Sequence, residues 1–155
     1  MIKEFQINID DAQIEYLYKK IELTRWPDEI NNEFWSHGTS MSFLKDLSKY
    51  WINDFNWRTH EKVLNDIGSY KFTSKTGLEI HYLHAKSNNK NALPLVMTHG
   101  WPGSIQEFIK VIPLIQEKSD RPIDIICPSL PGFGFSDKPH NLGMNSEEIA
   151  KIQHE

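Results

Sequence analysis

The residues best suited to chemistry lie in the run 95–104, which reads Leu-Val-Met-Thr-His-Gly-Trp-Pro-Gly-Ser. An apolar stretch ends at His99 and Gly100, an aromatic and a proline follow, and a helical pattern begins soon after. This order predicts a buried strand that breaks into a stiff loop and then a helix. A stiff loop suits an oxyanion site, because its backbone donors must be oriented before charge develops on the substrate. We therefore expect the N–H of Trp101 to be an oxyanion donor.

Three neighbours are expected to support this donor. Gly100 permits close backbone approach and unusual dihedral angles, and Pro102 fixes φ and removes one donor. His99 is expected to hold the loop through a side-chain hydrogen bond rather than to act as a catalytic base. We also predict a cis peptide bond between Trp101 and Pro102, because aromatic–proline turns favour it. The alternative is an ordinary strand-to-helix turn that has no chemical role.

A second motif, residues 128–136, reads Pro-Ser-Leu-Pro-Gly-Phe-Gly-Phe-Ser and follows another apolar stretch. Its two prolines and two glycines predict a tight loop at the carboxyl edge of the sheet, where α/β proteins bind ligands. Ser129 and Ser136 are candidate nucleophiles, but neither lies in a G-x-S-x-G elbow. The preferred interpretation is a packed turn that supports the neighbouring loop. The two glycines do not form G-x-G-x-x-G, so dinucleotide binding is not indicated.

The composition argues against several other functions. The net charge is −4 and no basic patch is present, which argues against a nucleic-acid partner. No apolar run approaches the roughly 18 residues that a membrane span needs, so we expect no membrane partner and a cytoplasmic protein. His81 and His84 are expected on opposite faces of a strand, and no cysteine pair is available, so no metal site is predicted. Cys127, the single cysteine, is expected to be a buried core thiol.

The hydrophobic pattern divides the chain into residues 1–68 and 69–155. The first region is expected to be helical after a short strand or extended arm that carries Phe5, Ile7 and Ile9. Its predicted elements are a helix capped by Asp10 or Asp11, a loop through Asn31-Asn32, a helix with Phe43, Leu44, Leu47, Tyr50 and Trp51 on one face, and a third helix with Val63, Leu64 and Ile67.

The second region changes to a strand pattern. Alternation predicts a β-hairpin over residues 70–82 with Gly77 in its turn. The elements expected after it are strands at 95–98 and 123–127, a helix from 103 to about 117 between them, and a last helix capped by Asn145 or Ser146. This order predicts an α/β fold with a parallel sheet and crossover helices.

Taken together, the motifs resemble the microsomal-type epoxide hydrolase family of the α/β-hydrolase superfamily. The resemblance covers nearly the whole chain, as the family's helical N-terminal segment over residues 1–68 and the first part of the hydrolase core over residues 69–155. Asn56 stands where this family pattern has an aspartate. The matching residues are Phe5-x-Ile7, Arg25-x-Pro27, Phe34-Trp35-x-x-Gly38, Tyr50-Trp51, Phe55-Asn-Trp57-Arg58-x-x-Glu61, Gly77-Leu-x-Ile80-His81, Ala92-x-Pro94-Leu95, His99-Gly-Trp-Pro-Gly-Ser104, Glu107-Phe108 and the run 128–136.

The resemblance implies a mechanism that needs no cofactor. In this family an aspartate attacks an epoxide carbon, two lid tyrosines bind the epoxide oxygen, and a histidine oriented by an acidic residue activates water to release a vicinal diol. It also implies that the N–H of Trp101 binds the oxyanion and that its ring lines the substrate pocket. The chain contains no G-x-D-x-G, so the nucleophile, base and lid are expected beyond residue 155. An incomplete α/β-hydrolase fold, inactive alone, is therefore expected.

Three functions stay open at this point. The first is the N-terminal portion of an epoxide hydrolase, with roles in detoxification or aromatic hydrocarbon catabolism implied by the resemblance. The second is a non-catalytic interaction module, or one half of a two-chain hydrolase. The third is an esterase or dehalogenase, against which Trp101 and the N-terminal segment argue. Because strand 95–98 would be left as an open sheet edge, the isolated chain is expected to be unstable or to need a complementing C-terminal chain or a homo-oligomer.

Overall fold

The structure, a computed structural model, describes residues 1–30 and 35–155. Its contacts divide the chain into two compact units, residues 8–60 and residues 1–7 with 61–155. The predicted loop at Asn31-Asn32 and the motif residue Phe34 lie outside the described residues. The domain boundary predicted at residue 68 stays a prediction.

The helices predicted in the first region are confirmed as α1 (Asp11–Glu22), α2 (Met41–Asn53) and α3 (Trp57–Ile67). The N-cap of α1 is Asp10, although its side chain makes no capping hydrogen bond. Aromatic residues gather within unit 8–60, where an apolar groove is formed by α1, by the end of α2 and by the turn after it. The groove is lined by Ile9, Gln13, Ile14, Leu17, Tyr18, Trp51, Phe55 and Trp57.

Asn56 caps α3. Its Oδ1 accepts a hydrogen bond of 2.9 Å from the backbone N–H of Arg58, the second residue of the helix. Asparagine and aspartate are both favoured at this position, because either side chain presents an oxygen to the free N–H groups of the first turn. The departure from the family pattern at Asn56 therefore keeps the capping interaction.

A five-stranded sheet forms the centre of the second unit, in the order β1-β2-β3-β5-β4. The strands are β1 (Ile2–Glu4), β2 (Ser69–Thr73), β3 (Glu79–Ala85), β4 (Leu93–Val96) and β5 (Ile123–Pro128). The predicted hairpin is β2–β3, and Gly77 in its turn has a φ of +85°. The predicted parallel pair is β4–β5, whereas β1–β2 and β3–β5 are antiparallel, so the sheet is mixed.

The N-terminal strand differs from its prediction. Alternation in the sequence predicts a strand carrying Phe5, Ile7 and Ile9, but β1 ends at Glu4. The reason is a distant side chain, because Asn65 donates to the carbonyl of Ile7 and accepts from its N–H, both at 2.9 Å. These two bonds satisfy the backbone of a residue that is only 1% exposed, without strand pairing.

The helix predicted from residue 103 to about 117 is interrupted. A 3₁₀ turn spans Ile105–Phe108, and α4 (Val111–Lys118) begins after a break. Pro113 explains the break, since its ring excludes a helical carbonyl four residues earlier and its missing N–H is tolerated in the first turn of α4. The last helix, α5 (Ser146–Gln153), is capped by Asn145, whose Oδ1 accepts from the N–H of Glu148 at 3.0 Å.

In the described part of the chain, β4 is an edge strand. The N–H of Leu93 and the N–H of Met97 both donate to carbonyl groups on the β5 side, at 2.9 Å each. Because successive residues of a strand alternate, the backbone nitrogens of residues 94 and 96 face away from β5. Pro94 consequently loses no ladder bond. None of the described helices is long and apolar enough to cross a membrane.

The open edge at β4 predicts self-association. Val96→Lys should reduce aggregation of the 155-residue chain, because a charged side chain on an exposed edge opposes pairing with another strand. Val96 is 54% exposed. Leu114→Lys on α4, at 53% exposure, is the matched control and should have no comparable effect. Light scattering during a concentration series measures the difference, and equal effects of the two lysines would contradict an edge-specific mechanism.

Candidate active site

Two loops leave the sheet side by side, because β4 and β5 run parallel and end at the same edge. The tryptophan loop, residues 99–104, follows β4, and the serine loop, residues 128–136, continues from the end of β5. A direct hydrogen bond joins them, since the N–H of Leu130 donates to Nε2 of His99 at 3.1 Å. The fold thus brings together the two motifs that the sequence indicates.

His99 is buried, at 3% exposure, and both of its ring nitrogens are engaged. Because Nε2 accepts the N–H of Leu130, the ring proton lies on Nδ1, which donates to the carbonyl oxygen of Gly100 at 3.1 Å. The ring of Phe133 packs edge-on, with the ring centroids 5.3 Å apart. Neither nitrogen is left to activate water, which is the arrangement expected of a residue that holds the loop.

The peptide between Gly100 and Trp101 is held in place by two hydrogen bonds to its carbonyl oxygen. Its carbonyl oxygen accepts from His99 Nδ1 at 3.1 Å and from the N–H of Gly103 at 2.8 Å. In a trans peptide the N–H points opposite to the carbonyl, so the N–H of Trp101 is directed away from both donors. Within residues 1–30 and 35–155 this N–H has no hydrogen-bond partner. A fixed N–H that is free to bind is what an oxyanion site requires.

The Trp101–Pro102 peptide bond is cis, as predicted. The side chain of Trp101 is 84% exposed. A large exposed ring directly beside a free backbone donor is suited to contact a ligand, but the pocket-lining role of this ring stays a prediction.

Gly103, rather than Gly100, is the glycine that the tryptophan loop requires. A Cβ on Gly103 would overlap the Glu107 carboxylate and lie 2.9 Å from the carbonyl oxygen of Gly100. Glu107 occupies that space because it accepts from the N–H of Ser104 at 3.1 Å and completes a capping box. A Cβ on Gly100 would meet no atom within 4 Å, and its φ is not positive. Neither a positive φ nor a close approach therefore requires glycine at position 100.

The hydroxyls of the serine loop point into the protein. Ser129 is 1% exposed and its Oγ lies 2.9 Å from Nδ1 of His81. Ser136 is 9% exposed, and its Oγ donates to the carbonyl oxygen of Ser129 at 2.8 Å. Gly134, with a φ of +52°, lies so close that a Cβ there would be 2.9 Å from Ser129 Oγ. Neither hydroxyl can reach a substrate, which agrees with a packed turn and not with a nucleophile.

The role of His81 is what sequence patterns miss at this site, because they place it in a strand and in the family motif but give its ring no partner. It is fully buried on β3, and its Nε2 lies 2.9 Å from the Oγ of Ser69. Burial, and to a smaller extent the charge of Lys71, lower the pKa of His81 to about 4. The signal that could have identified it is a histidine inside a strand buried on both faces, since such a ring needs two polar partners.

Cys127 is buried in β5, as predicted. Burial raises the pKa of its thiol to about 12, so the reactive thiolate is not formed near neutral pH. Across the part of the chain that the structure describes, no group of three or more His, Cys, Asp or Glu side chains is placed to hold a metal ion. The group at this edge that is oriented and available to a ligand is the backbone N–H of Trp101.

Comparison with known proteins gives matches over the whole chain. The model described as "Epoxide hydrolase N terminus" matches residues 2–108, and the model described as "alpha/beta hydrolase fold" matches residues 94–155. Epoxide hydrolase 1 of Sus scrofa is 35% identical, over 97% of this chain and 35% of its own length. Juvenile hormone epoxide hydrolase 1 of Ctenocephalides felis is 37% identical, over 97% of this chain and 34% of its own length. The chain thus spans about a third of these relatives.

Solved structures give the same result. Juvenile hormone epoxide hydrolase from the silkworm Bombyx mori superposes with a TM-score of 0.89 at 32% identity, covering 99% of this chain and 42% of that one. An enantioselective mutant of the epoxide hydrolase from Aspergillus niger superposes with a TM-score of 0.88 at 26% identity, again covering 99% and 42%. The described architecture is therefore a partial α/β-hydrolase fold.

The two loop glycines should respond oppositely to substitution. Gly103→Ala must displace the Glu107 carboxylate and press on the carbonyl of Gly100, so it should lower the free energy of unfolding by about 1–3 kcal/mol. Gly100→Ala has free space and should stay within about 0.5 kcal/mol of the parent. Urea unfolding of the two variants measures this difference, and equal losses would show that the described packing at Gly103 is wrong.

The lowered pKa of His81 predicts acid sensitivity. Between pH 6.5, its ordinary pKa, and about 4, the unfolded chain binds a proton that the folded chain does not. The free energy of unfolding should therefore fall as the pH is lowered through this window, by about 3 kcal/mol in total from this group. His81→Asn removes the titration, so urea unfolding from pH 7 to 4 should show a flatter profile for the variant. Parallel profiles would refute the assignment to His81.

Proposed function

The chain belongs to the epoxide hydrolase family whose N-terminal model it matches, and from this premise we propose that it forms the oxyanion-binding N-terminal portion of an epoxide hydrolase. The reaction is hydrolysis of an epoxide to a vicinal diol, with no cofactor. The observation that carries this proposal is the Gly100–Trp101 peptide, whose carbonyl is held by two donors while its N–H has no partner among the described residues.

The proposed contribution of this chain belongs to the second chemical step. After an aspartate has opened the epoxide, the intermediate is an ester, and water adds to the ester carbonyl carbon. The carbonyl oxygen then gains negative charge, and the N–H of Trp101 donates to it. The donor needs no reorientation at that moment, because the hydrogen bonds of His99 and Gly103 already hold its peptide. The exposed ring of Trp101 is proposed to contact the substrate beside this donor.

Residues 1–155 alone are proposed to be inactive. They contain no G-x-D-x-G elbow, and without the nucleophile and base the covalent route is closed, leaving at most weak binding and oxyanion effects.

The partner proposed for the complete enzyme is a C-terminal polypeptide that pairs with β4, and a homo-oligomer formed along the same edge is the alternative. Support for either comes from β4, one of the two edge strands of the described sheet, which exposes Leu93 and Val96.

A chimera tests the proposed function. Residues 1–155 replace the aligned segment of the silkworm juvenile hormone epoxide hydrolase, and diol formation is measured with an epoxide that the unmodified enzyme hydrolyses. Trp101→Pro removes the N–H and should lower kcat by about 100- to 1000-fold, the usual loss for one oxyanion donor. Trp101→Phe keeps the N–H and an aromatic ring, so its kcat should stay within about threefold of the parent, which is small beside the loss expected for Trp101→Pro.

Circular dichroism of each chimera checks that it is folded. Trp101→Ala separates the two roles of this residue, since it keeps the donor but removes the ring and should raise KM more than it lowers kcat. An active Trp101→Pro chimera would remove Trp101 as the oxyanion donor. A folded parent chimera without any hydrolysis would overturn the proposal that this segment supplies the oxyanion site of an epoxide hydrolase.

A further inference from the structure

A buried polar cluster lies behind the serine loop and has no part in the proposed chemistry. This serine–histidine cluster consists of Ser69, His81, Ser129 and Ser136, each less than 10% exposed. The ring of His81 lies between two hydroxyls, with Nε2 2.9 Å from Ser69 and Nδ1 2.9 Å from Ser129. The backbone of His81 is also engaged, since its carbonyl accepts from the N–H of Ser129 at 2.8 Å. Ser69 on β2, His81 on β3 and Ser129 in the serine loop are thus joined to one another by hydrogen bonds.

Within this cluster, Ser136 has a fixed pair of hydrogen bonds. Its Oγ accepts from the backbone N–H of His81 at 2.9 Å, and it donates to the carbonyl oxygen of Ser129 at 2.8 Å. The roles cannot be reversed, because an amide N–H only donates and a carbonyl oxygen only accepts. The hydroxyl of Ser136 therefore fixes the direction of one particular carbonyl group, that of Ser129.

That carbonyl belongs to the same peptide group as the N–H of Leu130. The peptide is planar and trans, so a carbonyl held on one side directs the N–H to the other side. There the N–H of Leu130 donates to Nε2 of His99 at 3.1 Å. The same geometry then repeats, because Nδ1 of His99 donates to the carbonyl of Gly100, whose peptide carries the N–H of Trp101.

We propose that Ser136 is a positioning residue for the oxyanion donor: it orients the Ser129–Leu130 peptide, which fixes the tautomer and orientation of His99 and, through it, the Gly100–Trp101 peptide. We call the hydrogen bonds that run from Ser136 through the Ser129–Leu130 peptide and His99 to the carbonyl of Gly100 the relay. The catalytic consequence of this inference rests on the proposed function, whereas the relay itself does not. Ser136 touches no reacting atom. Its effect on the reaction is exerted through His99.

Ser69 supplies a matched control. It is also a buried serine, and it bonds the same histidine, but it contacts His81 Nε2 and no atom of the relay. Ser69→Ala and Ser136→Ala should each lower the melting temperature, since each removes a buried hydroxyl partner. Only Ser136→Ala frees the Ser129 carbonyl, so only this variant should disturb His99. Ser136→Thr keeps the hydroxyl and should restore the behaviour of the parent.

The first measurement is NMR of the folded chimera, with ¹⁵N-labelled histidine and backbone amides. In the parent and in Ser69→Ala, His99 should show a single tautomer with the proton on Nδ1, and the amide of Leu130 should exchange slowly. In Ser136→Ala, His99 should show mixed tautomers, and the Leu130 amide should exchange at least about tenfold faster, as expected for a lost hydrogen-bond restraint. An unchanged His99 and Leu130 in Ser136→Ala, or an equal change in Ser69→Ala, would overturn the relay.

The second measurement uses the chimera described above. Ser136→Ala should lower kcat by about tenfold with little change in KM, as expected when a group acts only in the transition state. Ser136→Thr should recover most of that loss. An unchanged kcat together with a disturbed His99 would overturn the positioning role of Ser136, whereas the proposed function is tested separately by the Trp101→Pro chimera. A lowered kcat with an undisturbed His99 would overturn the relay alone.

Discussion

The structure of this edge depends on one constraint: polar groups buried where β4 and β5 end must find partners inside the protein. Parallel pairing brings the two strand ends together and removes them from water, and each buried group left unpaired costs about 1–3 kcal/mol. Histidine is suited to this task because its neutral ring offers one donor and one acceptor in fixed directions. His99 uses both to join the tryptophan loop to the serine loop, and His81 uses its ring and its backbone to fasten the serine loop to β3.

The same constraint explains why backbone orientation is so well defined here. A peptide group is planar, so it cannot turn its carbonyl without turning its N–H. At Gly100 the carbonyl accepts two hydrogen bonds, at 3.1 and 2.8 Å, and both would have to break before the N–H of Trp101 could rotate. Structural pairing on one side of the peptide therefore sets the direction of a free donor on the other. Gly103 makes this possible, since any larger residue would displace the group that closes the turn.

Local patterns in the sequence were sufficient wherever neighbouring residues decide the structure. Alternation and a turn glycine predict the β2–β3 hairpin, and apolar runs predict the parallel pair β4–β5. The patterns failed where a distant side chain decides. β1 ends early because Asn65 bonds Ile7, 58 residues away in sequence, and His81 meets Ser136 across 55 residues. The break before α4 has a local cause instead, because Pro113 is visible in the sequence and its ring excludes a helical carbonyl four residues earlier.

The contacts that orient the backbone N–H of Trp101 all lie within residues 81–136, so the direction of this N–H is a property of these residues alone. The strength of the hydrogen bond that this N–H donates depends on more than these residues. A single N–H hydrogen bond gains little over water when water competes for the same oxygen, and far more in a water-excluded site of low dielectric constant. Trp101 is 84% exposed in the described chain. The orientation of the donor and the exclusion of water are therefore separate requirements, and the catalytic role proposed for this loop depends on both.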